Sequence, residues 1–201
     1  MKDGFWMIIK FFLFLLLLPL VAAAVFAFQF QVLAIPASKE QWFLWGVVVF
    51  ILSYLFLYNF KEVHSFGQTI VSNLLKFFEP VVTIGGVIIP IYTVLLVCFY
   101  LIIHVLGLDA QYGRHFLLGL GFSIAMHLVL TAHQLYESDS SPLKAQYLLS
   151  FSMVLCVDLC LIALLLSCVT EFSFLDFFQS LSGHTAQYYK AIYRILFASP
   201  S

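Results

Sequence analysis

The sequence predicts an all-α, polytopic integral membrane helix bundle with about five transmembrane helices and amphipathic helices at the membrane surface. Three observations predict it. Hydrophobic residues make up 63% of the 201 residues and charged residues only 9%, where a soluble domain carries roughly a quarter charged residues. A globule of this size buries only about 70% of its chain surface, and so few charges cannot coat the rest. Mean hydropathy is +1.05, concentrated in runs long enough to cross a hydrocarbon core of about 30 Å at about 1.5 Å per residue.

The composition excludes other classes. Nine Lys plus Arg face ten Asp plus Glu, for a net charge of -1, so a general nucleic-acid footprint is not expected. Disorder does not fit so apolar a chain. The four cysteines, Cys98, Cys156, Cys160 and Cys168, fall in apolar stretches and read as buried thiols rather than a disulfide framework.

The spans follow in order. The first covers 5–35 and has no charge between Phe11 and Ser38; it is longer than the apolar core of a cleaved signal peptide, the alternative reading. The second, 42–60, carries Trp42 and Trp45 at one end and Tyr58 at the other, as belt residues should. The third, 81–108, contains Gly85, Gly86 and Pro90. Pro90 lacks a backbone donor and clashes with the carbonyl four residues earlier, so a helix break or kink is expected there. The fourth and fifth spans are 116–136 and 143–169, joined by the turn residues of 137–142. Gly119 with Ser123, and Gly121 with Ala125, have the small-residue spacing that suits close helix packing.

Two segments read as amphipathic. In 61–79, Val63, Phe66, Ile70, Leu74 and Phe77 recur at helical spacing opposite Ser65, Thr69, Ser72, Lys76 and Glu79, the pattern of an interfacial helix. The tail, 171–201, repeats it in two stripes interrupted at 182–184. The transmembrane bundle therefore occupies 1–170. A cytoplasmic N-terminus places Lys2, Lys10, Lys61, Lys76 and Lys144 inside and Lys39 and Arg114 outside; with Lys190 and Arg194 counted outside the bias nearly disappears.

Asp158 is the leading site candidate. A charge in the middle of the fifth span costs at least about 2.5 kcal/mol facing lipid, so it should face protein or water, as a polar contact or an ion relay. Cys156 and Cys160 supply two thiols, too few for a metal site. His127, His133 and Glu137 form a second candidate, an interfacial polar or metal patch, with His133 and Glu137 one helical turn apart. Haem would need two imidazoles at matching depth, and His104 and His127 lie at different depths. No other cofactor is expected, although the apolar surface is compatible with bound lipid. No glycine-rich phosphate loop, G-x-S-x-G or H-E-x-x-H pattern appears.

Without a soluble domain, the expected role is a small accessory or scaffold subunit of a larger membrane complex. Its partners would be other integral membrane subunits and lipids. The alternatives are an oligomeric channel or transporter using Asp158, and an intramembrane enzyme or haem protein.

Overall fold

The computed structural model describes residues 2–56, 60–74, 88–107, 109–140 and 143–197. Among these are seven helices: α1 (Lys2–Leu33), α2 (Ala37–Phe56), α3 (Phe60–Leu74), α4 (Ile91–Val105), α5 (Asp109–Ser138), α6 (Ala145–Ser167) and α7 (Phe174–Phe197). Four segments are long and apolar enough to cross a membrane: Gly4–Leu33, Ala37–Phe56, Tyr112–Ser138 and Ala145–Ser167. The chain is a multi-pass, all-α membrane protein.

Packing follows from small residues where backbones meet. Cβ atoms built on Gly46 and Gly121 would overlap the carbonyl oxygens of Leu118 and Phe43 respectively, so α2 and α5 cross with each helix's glycine against the other's backbone. Gly119, of the expected spacing pair, instead lies in ordinary contact with Leu96. Phe50, fully buried, fills the neighbouring layer with Ala125, Met126 and Leu130. The larger core joins α1, α5 and α6 through Ala24, Ala27, Leu120, Ile162, Ala163 and Leu166. Much of the outer surface is exposed Leu, Phe, Ile and Val, the surface a bilayer solvates.

Contacts along the helices define two ends. At one, Lys10 donates to Gln146 (2.9 Å) and Lys61 to Glu137 (3.0 Å); this is the Glu137 end. At the other, Lys39 pairs with Glu171 (2.5 Å) near Arg114; this is the Arg114 end.

The structure refines the sequence reading at four places. Of the third span, residues 81–87, Gly85 and Gly86 among them, lie outside the described residues; its described helix, α4, has 15 residues, a rise of about 22 Å. It begins straight after Pro90, with Ile89 and Pro90 non-helical. Pro90 therefore stands at a helix boundary, where its missing N–H is tolerated.

In α3 the face toward the bundle is His64, Gly67 and Val71, all buried, while Val63 and Phe66 are exposed. Gly67 sits there because a Cβ would collide with the Tyr92 ring. Val63 and Phe66, of the apolar stripe read from sequence, face away from the bundle, as expected of an interfacial helix; Phe77 lies outside the described residues.

The tail is one continuous helix through 182–184, since a lone glycine costs a helix only about 1 kcal/mol. It lies along α1 rather than apart from the bundle. Phe177 meets Phe28 (6.4 Å between ring centroids), His184 meets Phe26 (4.8 Å), and the Tyr189 hydroxyl donates to the Leu16 carbonyl (2.7 Å). So α7 runs antiparallel to α1, from the Arg114 end toward the Glu137 end. The four thiols also differ from expectation: Cys156 and Cys160 are half-buried, whereas Cys98 and Cys168 are exposed. A thiol is apolar enough to sit on a lipid-facing surface.

Candidate functional site

Asp158 is completely buried, and its partner lies inside the chain. His127 on α5 brings Nε2 to 3.3 Å from Asp158 Oδ2. The pair meets at charge-contact distance without completing a hydrogen bond, so His127 Nε2 and both Asp158 oxygens lack hydrogen-bond partners. Buried groups in that condition are rare and costly. His64 extends the cluster onto a third helix, its ring centroid 6.0 Å from that of His127. Its Nε2 is likewise buried and unpartnered, as is the hydroxyl of Thr131 one turn from His127. Burial, and then the neighbouring His127, lower the His64 pKa to about 4, so His64 is neutral at pH 7.

The helix break adjoins this cluster. A cavity of about 10 Å³, room for about one water molecule, is lined by His64, His127, Ser123, Ile89, Pro90 and Ile91, among others. Ser123 and Thr93 share a buried hydrogen bond at 3.1 Å, which ties α4 to α5 just past the break. The Tyr92 hydroxyl donates to the Val63 carbonyl and ties α4 to α3.

Polar side chains continue from His64 toward the Glu137 end. A second cavity, about 190 Å³, is lined by Lys61, His64, Gln68, His133, Gln134 and Glu137, among others. Glu137 Oε1 accepts from Lys61 and lies 3.2 Å from His133 Nε2. Gln68 donates to Gln134 at 2.6 Å. His64 borders both cavities. Toward the Arg114 end, by contrast, Asp158 is followed by the apolar core of Leu120, Leu159, Ile162, Ala163 and Leu166. Among the described residues, the polar side chains nearest the pair lie on its Glu137 side.

The expected patch of His127, His133 and Glu137 is split. His133 and Glu137 form a rim pair, while His127 turns inward to Asp158. Among the described residues no three His, Cys, Asp or Glu side chains converge as metal ligands do. His104 stacks near Tyr100 (6.2 Å) toward the Arg114 end, away from His127. Sequence reasoning missed His64, whose signal is its i, i+3, i+7 register with Gly67 and Val71. Compared with known protein families, curated proteins and solved structures, the chain matches none of them.

Proposed function

We propose that the chain is a proton-coupled component of a membrane transport system, in which Asp158 and His127 hold a proton that arrives from the Glu137 end. One observation carries this reading: the buried His127–Asp158 pair adjoins His64, which borders the polar cavity leading to Lys61, His133 and Glu137. Ionisable groups are kept inside a membrane bundle at a cost, and transport paths are where they are commonly found. The break at Pro90 beside His64 and His127 adds support, because interrupted helices border the ion sites of many transporters. His64 is the gate of the relay: neutral at rest, it accepts a proton from the cavity and passes it toward His127 and Asp158. The apolar layer beyond Asp158 closes the site toward the Arg114 end in this conformation, so release there follows a rearrangement of the bundle.

Charge placement supports putting the Glu137 end in the cytoplasm. The antiparallel course of α7 directs Lys190 and Arg194 toward the end that holds Lys10, Lys61 and Lys144, leaving Lys39 and Arg114 opposite. This is the bias the positive-inside rule expects, with the N-terminus cytoplasmic.

A second reading, membership of a larger complex, is favoured by α7. Asp176, Gln179, Gln187, Lys190 and Arg194 lie on one exposed side of a helix packed along a membrane span. A polar stripe at that depth is stabilised by a partner subunit or by water. The two readings are compatible.

Proteoliposomes test the first reading. An imposed pH gradient across vesicles with trapped dye should drive proton movement that Asp158→Asn and His127→Leu abolish and Lys39→Gln leaves intact. Equal movement in wild type and Asp158→Asn overturns it.

A further inference from the structure

At the Arg114 end, a cavity of about 340 Å³ opens between the first turn of α2, α4, the first turns of α5 and the segment just after α6. Its lining has two chemistries. Ser38, Lys39 and Arg114 supply a hydroxyl and two cations, and Phe116, Leu117 and Val169 supply an apolar floor. Lys39 is already paired with Glu171, and this neighbour holds the Glu171 carboxyl below its usual pKa. Arg114 is exposed and has no ion-pair partner among the described residues. Among the described residues the cavity therefore carries one uncompensated positive charge, on a planar fork suited to an oxyanion.

Depth narrows the ligand. Arg114 stands in the first turn of the Tyr112–Ser138 span, where the chain leaves the headgroup region. The floor beneath it is continuous with apolar residues of α5 and α6. A free anion would use the cations and leave that floor without a partner.

We propose that this cavity binds the phosphodiester headgroup of an anionic membrane lipid. Arg114 takes the phosphate with Lys39 and Ser38 beside it, and the glycerol and first acyl carbons lie on Phe116, Leu117 and Val169. A zwitterionic headgroup brings its own cation against Lys39 and Arg114, so an anionic one is favoured. The site is separate from the His127–Asp158 cluster and stands whether or not that cluster moves protons.

The test uses the full chain in nanodiscs containing equal phosphatidylglycerol and phosphatidylcholine, released gently for native mass spectrometry. Phosphatidylglycerol should be retained several-fold over phosphatidylcholine. The double variant Arg114→Gln, Lys39→Gln should lose that preference, and Lys10→Gln at the opposite end should keep it. Equal retention of the two lipids by the wild-type protein overturns the proposal without relying on any variant. So does a preference unchanged in the double variant. In a parallel melting experiment, inorganic phosphate stabilising the detergent-solubilised chain as well as short-chain phosphatidylglycerol does would assign the site to a free anion and overturn the lipid assignment.

Discussion

His127 Nε2 stands 3.3 Å from Asp158 Oδ2, with both side chains buried between α5 and α6. The residues are 31 positions apart, and helix packing alone brings them to one depth. Removing one member of such a pair strands the other, whereas replacing both with apolar groups is often close to neutral. We expect His127→Leu and Asp158→Leu each to destabilise the protein, and the double variant to recover about 1–3 kcal/mol relative to their sum. A double-mutant cycle by denaturant titration in detergent measures that coupling, and additivity within about 0.5 kcal/mol denies it.

His64 gives a pH dependence with a definite sign. Its pKa is about 4 in the folded protein, against about 6.5 for an unperturbed histidine. Between those values the unfolded chain binds more protons, so stability falls as pH drops from about 6.5 to 4 and levels off below. His64→Gln should flatten the stability curve in that window. The same slope in both proteins would place the titrating group elsewhere.

The crossing of α2 and α5 depends on hydrogen atoms at Gly46 and Gly121. Gly121→Ala should destabilise by about 1–3 kcal/mol through overpacking, because the group it meets is the backbone of Phe43. Gly183→Ala is the control: a Cβ there meets nothing within 4 Å, and better helix propensity should stabilise α7 by up to about 1 kcal/mol. Melting midpoints of the two variants should move in opposite directions.

The Lys39–Glu171 pair joins the first turn of α2 to the segment after α6, but its side chains are about half exposed. Water screens it, so Glu171→Gln should cost less than about 1 kcal/mol. The Glu171 carboxyl is held below its usual pKa by Lys39. That small contribution is present above the unfolded value and is lost as pH falls through the folded one. Unfolding titrations at low and high salt should converge.

Four spans were legible from sequence because a long uncharged run has few soluble alternatives. Pro90 was legible as an interruption for an equally local reason: it cannot continue a helix without losing a backbone bond. Asp158 and His127 each stood out, yet their meeting did not, because span boundaries do not say which helices are neighbours. The direction of α7 was hidden for the same reason, since an amphipathic stripe fits a lipid surface and the flank of α1 equally well. His64 escaped notice because the larger Val63 and Phe66 beside it drew attention to the membrane-facing side of α3, while His64 lies on the opposite, buried side with Gly67 and Val71.

Proton uptake by Asp158 through His64 and His127 from the Glu137 end can be watched by infrared difference spectroscopy. The reconstituted protein would be stepped between pH values while the carbonyl stretch of protonated carboxylic acids is followed. A band should appear that responds to bulk pH, disappears in Asp158→Asn, persists in Glu137→Gln and slows markedly in His64→Phe. A spectrum with no Asp158-dependent band, or one whose band ignores bulk pH, would contradict it.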